Sequence, residues 1–382
     1  MKFSNRRRWT KSEKWLLFAP LLVGVFAGAM NYAPKIFGKM RGNPDFVLKT
    51  APGVTLTSIA LSRDGASLVA TGFGATIPQN GDIWIWNARN LQLRARWPGG
   101  PRNPNGGWAS RMPSQMAWSL DGKRLMFGRM SEPFQSVDVA SRRVLWSWGR
   151  ASYEDEIRLS PDGRLLFLPA PARGNNEESA YALLDAATGK VRCRWSVRGF
   201  PGDPMVSFAP DGKTLASIGP RRGATKESWY VDGRDIEIRR VSDGHLLQTI
   251  ASQWTRAVEF SPDCTRLLAF GESEQNPGAG ITGSRVVCFS LASKTPLWTY
   301  GRVGGDFPQQ AIWSPDGKSV AVAAGTNSVL LLDSDTGAIK TTLRDPKSAP
   351  QRPSSLSSLI FSPDGKRLFA RGKDAVLVWD LN

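Results

Sequence analysis

The chain has 382 residues, 41% hydrophobic and 22% charged, a globular composition that excludes a wholly disordered chain and a protein crossing a membrane many times. Fifty Lys and Arg against 33 Asp and Glu give a formal net charge of +17. Nine of those bases stand in residues 1–44 beside one acid, Glu13, so the rest of the chain carries no concentrated polyanion-binding region and no nucleic-acid partner is expected.

No residue between Trp15 and Pro34 is charged. Twenty residues at about 1.5 Å rise span about 30 Å, the hydrocarbon thickness of a bilayer. A single transmembrane helix is therefore expected over 15–34, after a basic cytoplasmic tail (1–14) and before a linker (35–44). Six bases precede the stretch and three follow it closely, which keeps the N-terminus cytoplasmic and places the remainder outside, periplasmic or extracellular. The same residues also read as a signal sequence, with an apolar run from Trp15 to Phe26 and a small-residue site at Ala27 and Ala29, secreting the rest after cleavage near Ala29. The uncharged stretch continues through Tyr32, which favours the retained anchor. Gly24 and Gly28 form a GxxxG suited to a weak helix-mediated dimer.

From residue 45 onward one pattern repeats seven times. Ser-Pro-Asp-Gly or a near variant recurs with its Asp at Asp64, Asp121, Asp162, Asp211, Asp263, Asp316 and Asp364. Pro presets the second turn position, Asp suits the third, and Gly accepts the left-handed conformation that closes a hairpin. Residues five and three before each Asp are all apolar, as in Ile59 and Leu61 or Val258 and Phe260. That spacing of two is a strand and not a helix. A second strand follows each turn, then a third such as Ile83-Trp84-Ile85-Trp86 or Val376-Leu377-Val378-Trp379. Six units continue into a fourth strand with a bulky apolar slot ten residues after the third: Trp97, Trp148, Trp195, Ile250, Tyr300 and Leu343.

Seven units of four antiparallel strands predict an all-β, seven-bladed β-propeller over 45–382. The seventh unit lacks its outer strand, and Phe46-Val47-Leu48 is a strand with no unit of its own. It is expected to complete blade seven and close the ring. Cys264 stands where the other turns have Gly, which predicts a strained or differently shaped turn there.

The pattern resembles the WD-repeat and related Ser-Pro-Asp-Gly propeller families over nearly all of 45–382. Trp379-Asp380 and Trp86-Asn87 sit where such families place their Trp-Asp pair, and Phe361 through Leu368 is close to their consensus. The Gly-His element that opens a WD repeat is absent from all seven units. The resemblance implies the architecture and, in most such rings, a binding platform.

In a blade of this kind the first-to-second and third-to-fourth turns share one end, and the second-to-third and blade-to-blade connections share the other. The long irregular segments therefore gather at one end, where binding usually resides. Two of them combine Trp, Tyr and Arg, the residue types of interface hot spots: Arg102, Trp108 and Arg111 in one, Arg221, Arg222, Trp229 and Tyr230 in another. These seven are the candidate residues for a protein partner.

No catalytic constellation is visible. The single histidine, His245, falls in a turn at the opposite end; three cysteines, Cys193, Cys264 and Cys288, are expected as free thiols. Asp333-Ser334-Asp335-Thr336-Gly337 looks like the start of a calcium loop but reads as a turn, like Asp185-Ala186-Ala187-Thr188-Gly189. No metal or cofactor is expected. The favoured reading is a membrane-anchored, extracytoplasmic propeller serving as a non-catalytic protein-binding scaffold. The alternative is an exported propeller enzyme, a lyase or hydrolase or a quinoprotein-like oxidoreductase, since Trp146 and Trp298 loosely resemble the tryptophan-docking repeats of quinoprotein dehydrogenases.

Overall fold

The repeated turn staples itself. In six of the seven units the turn serine (Ser62, Ser119, Ser160, Ser261, Ser314, Ser362) donates its hydroxyl to the Asp two residues on, at 2.5–2.6 Å. The same oxygen accepts the amide five residues ahead at 2.8–2.9 Å. The Asp in turn accepts the amide two residues beyond it, as Lys123 N gives to Asp121 at 3.1 Å. One Ser and one Asp thus satisfy the backbone groups a tight hairpin would otherwise strand. The glycine that follows sits at φ between 64° and 71° in six units, and Cys264 holds the same conformation at 58°. A side chain is forced there into the left-handed region, as its place in the repeat predicts.

The computed structural model describes residues 42–50, 53–74, 79–98, 100–101, 113–129, 132–149, 157–170, 180–196, 206–220, 234–252, 255–272, 275–276, 280–281, 283–303, 308–324, 327–345 and 356–381. The expected anchor at 15–34, with Gly24, Gly28 and Ala29, lies outside them. Among the described residues no helix is long and apolar enough to cross a membrane.

From Pro44 on, the hairpins build seven four-stranded antiparallel sheets, the blades of a propeller. Blade one runs Val54–Leu61, Ser67–Gly74, Asp82–Asn87, Leu93–Trp97. First strands of neighbouring blades touch, Val54–Leu61 against Pro113–Trp118 and Pro308–Trp313 against Ser357–Phe361 among them, so the first strand is innermost. Seven apolar clusters fill the seven gaps between blades. Each is built from the strand residues spaced at two, and burying a Leu, Val or Phe in one is worth about 1.5–3 kcal/mol.

The ring closes as expected. Phe46–Lys49 pairs antiparallel with Ala375–Asp380, Phe46 opposite Val378 and Leu48 opposite Val376. Trp97 lies opposite Ile83 in blade one, and Leu343 opposite Val329 in blade six, the same rung. Leu48 therefore fills in blade seven the bulky slot that the chain's C-terminal end leaves vacant, and it is 7% exposed.

Tryptophan indoles tie blade to blade. Trp118 Nε1 donates to Ala60 O at 3.2 Å and Trp313 Nε1 to Glu259 O at 3.3 Å near the axis. Trp146 Nε1 donates to Ala186 O at 3.1 Å and Trp298 Nε1 to Ser334 O at 2.8 Å farther out. Trp146 and Trp298 lie flat over Gly189 and Gly337, where a Cβ would come within 2.8 Å of the ring. These two tryptophans are struts between sheets. The turn assignments hold as well: Asp333 Oδ1 accepts the amides of Asp335 and Thr336 and the Thr336 hydroxyl, as Asp185 does in blade three.

The irregular segments contain more pairing than their sequence suggests. Gln79–Asn80, before blade one's third strand, pairs with Gly100–Pro101 in the link to blade two, and Gln275–Asn276 pairs with Gly280–Ile281. Such two-residue ribbons are made by backbone alone and leave no hydrophobic period.

Candidate functional site

Strand direction fixes which residues share an end. Each third strand starts at the end carrying the long connections and finishes at the turn end. Blade four's second strand stops at Pro220 opposite Arg234, which marks the long-connection end of that blade. All seven candidate partner residues, Arg102, Trp108, Arg111, Arg221, Arg222, Trp229 and Tyr230, lie outside the described residues. What is described is the strands on either side of these residues in the sequence. In blade four Arg239 stands near the turn end of the third strand, where it bonds Glu237 Oε2 at 2.6 and 3.1 Å, donates to Gly244 O at 3.0 Å and sits 5.8 Å from the centre of the Trp195 ring. Before 102–112, the buried Asp82 carboxylate takes Arg96 at 2.5 and 2.7 Å. Asp82 and Asp235 occupy the same rung of blades one and four, and both are buried. Both ion pairs brace strands within a blade.

A second polar feature escaped the sequence reading. The residue four before each turn Asp lies on the inner strand, between two core positions. It is Ala60, Ala117, Ile312 and Ile360 in four blades but Arg158, Ser207 and Glu259 in the consecutive blades three, four and five. Ser207 accepts the Phe260 amide at 3.0 Å, stitching blade four to five. Burial pushes the Glu259 carboxyl above its ordinary range, opposed by the attraction of Arg158 and a hydrogen bond with Ser207. Glu259 nevertheless keeps some accessible surface. Its partners, Ser207 and Arg158, belong to the two preceding blades, so this rung of the inner strands links three blades in a row. The signal was there as three polar residues in a slot that is apolar elsewhere, but only the ring makes them neighbours. Chemically the arc can hold a proton, and its charges oppose one another.

The turn end is chemically quiet. The serine hydroxyl first, and the backbone amides with it, hold Asp64, Asp121, Asp162, Asp316 and Asp364 below the usual carboxylate range. Asp185 is held at about 2, chiefly by Arg192 at 2.7 Å. His245 is exposed in its turn, as expected. The three cysteines are free. Burial pushes the Cys288 thiol up to about 12 and raises that of Cys193, which leaves little thiolate at neutral pH.

No protein-family model matches the chain, and no curated protein matches it. Among solved structures, hydrazine synthase of Kuenenia stuttgartiensis superposes with a TM-score of 0.63 over 88% of this chain and 98% of that one, at 18% identity. At that identity the likeness is one of fold. Matches extend to 1723 solved chains, so what they share with this protein is an architecture used for many purposes.

Proposed function

We propose that the chain is a membrane-anchored, extracytoplasmic propeller of the WD-repeat type that serves as a non-catalytic platform for another protein. The observation that carries this reading is the difference between the two ends of the ring. At the turn end seven near-identical hairpins consume their polar groups in their own hydrogen bonds. At the other end the connections differ from blade to blade in length and sequence, and in blade one the strand end beside them is braced by the Arg96–Asp82 pair. A rigid ring carrying variable loops rich in Trp, Tyr and Arg suits recognition of a protein surface. The uncharged stretch 15–34 and its flanking bases support a helix that holds the ring outside the cytoplasmic membrane.

The test is in-cell photo-crosslinking from positions 108 and 229. Attachment of one recurrent protein at both supports the platform. Failure of any protein to attach, together with a small molecule retained by the purified chain, overturns it in favour of an exported enzyme. The mass of the natural N-terminus separates retained helix from cleavage near Ala29, and protease treatment of intact cells checks the side of the membrane.

A further inference from the structure

Among the described residues every large exposed apolar side chain sits at the turn end. Nine of the ten open the outer strands, and all seven blades contribute: Leu93, Val144, Leu145, Val191, Leu246, Leu247, Leu297, Ile339 and Phe46 are 39–54% exposed. The tenth, Leu120, is in blade two's first turn. Singly such residues are ordinary. Here they recur at equivalent places in all seven blades, a ring of apolar tips at one end of the fold.

Two further observations say what covers it. The first is charge. Around Leu93, Val144 and Leu145 the outer turns present exposed Arg89, Arg94, Arg142 and Arg143. Blade one's turn, Asn87–Asn90, has no acid, and Asp138 in blade two is taken by the Ser141 amide and hydroxyl at 2.7 and 2.6 Å. The second is where the chain joins the ring. Asp45 donates its amide to Val378 O at 2.8 Å and accepts the Asp380 amide at 2.7 Å, so the polypeptide meets blade seven at the turn end, beside Phe46 and one blade from Leu93. Shallow aliphatic side chains interleaved with arginines match the headgroup zone of a bilayer, where apolar tips insert and cations meet anionic lipid.

We propose that the turn-end rim of blades seven, one and two docks on an anionic lipid surface, so that the long-connection end points away from it. This rests on the anchored reading for its membrane, and the experiment separates the two. The full chain is reconstituted into vesicles of phosphatidylcholine, with or without phosphatidylglycerol. An environment-sensitive fluorophore is placed at Leu93→Cys or, separately, at Val144→Cys, with Cys193 and Cys264 changed to Ser. A control label goes at Asp374→Cys, exposed in blade seven's connection at the opposite end. Quenching by headgroup-level spin-labelled lipid reads docking, and flotation after alkaline carbonate reads anchoring.

Quenching at positions 93 and 144 but not at 374, present with phosphatidylglycerol and lost in high salt, is the expected result. Replacing Arg89, Arg94 and Arg143 by Gln should weaken it about a hundredfold, since each base near an anionic surface is worth about 1 kcal/mol and about 1.4 kcal/mol is tenfold. Flotation with no quenching at 93 or 144, or with equal quenching at 374, overturns the docking and leaves the anchor standing. If the chain fails to float after carbonate, the anchor fails. Docking then stands on salt-sensitive binding to phosphatidylglycerol vesicles that the triple variant loses, and it falls if no such binding occurs.

Discussion

Leu48 is the side chain on which ring closure can be measured. It is 7% exposed and packs with Val376, Val378, Phe369 and Trp86 in the cluster between blades seven and one. Replacing it by Ala removes buried carbon and leaves a cavity, which for Leu→Ala costs about 2–5 kcal/mol; a site near the rim of a sheet can partly collapse, so about 3 kcal/mol is expected. For a ring of about 340 residues the unfolding entropy is about 0.7 kcal/mol per degree, so Tm should fall by about 4 °C. The control is Leu93→Ala, in the outer strand of blade one but 54% exposed, for which less than about 0.5 kcal/mol is expected. Hydrogen exchange should localise the loss: amides of Ala375–Asp380 should exchange faster in Leu48→Ala, because the strand protecting that edge is loosened. Equal Tm values for the two variants, with unchanged protection of 375–380, would refute the closure of blade seven by Phe46–Lys49.

Two departures from the repeated turn, Cys264 and Ala209, can be tested by restoring the consensus residue. Cys264→Gly should be about 1 kcal/mol more stable than Cys264→Ala in urea titration, since only Ala retains the cost of φ near 58°. Ala209→Ser should add the hydroxyl that the other six turns possess, between Asp211 and the Thr214 amide, and raise stability by about 0.5–1.5 kcal/mol. For the struts, Gly337→Ala at φ 72° places a Cβ 2.8 Å from Trp298, whereas Gly122→Ala at φ 64° meets nothing within 4 Å. The first should cost about 2–4 kcal/mol and shift the emission of Trp298, and the second about 1 kcal/mol; equal costs would mean that Trp298 is no strut. At Glu259 the folded carboxyl is raised above its ordinary value of 4.5 by burial. The folded chain therefore holds the proton more tightly than the unfolded one, and this stabilisation is full below pH 4.5 and fades as pH rises through the raised value. Glu259→Gln should match the wild type near pH 4 and melt higher at pH 7–8; a lower melting point there would show that attraction to Arg158 outweighs burial. The turn aspartates act in a separate window with the opposite sign, their contribution being lost as pH falls below 3.8.

What the sequence made legible follows from how strictly each position is constrained. A hairpin closed by Ser, Asp and a left-handed Gly tolerates few residue types, so seven copies stand out even though the spacing between them varies by sixteen residues. The exception at Cys264 could be read for the same reason. Blade seven's missing strand was legible because six other units define what should be there; that Leu48 in particular takes the slot needed the register. Arg158, Ser207 and Glu259 were not legible, because their meaning depends on three inner strands converging on an axis, and no local period records that. The outer rim was hidden in the opposite way. Leu93, Val144 and Ile339 look like ordinary strand residues, and only their exposure at one shared end, beside the place where the chain joins the ring, turns them into a surface.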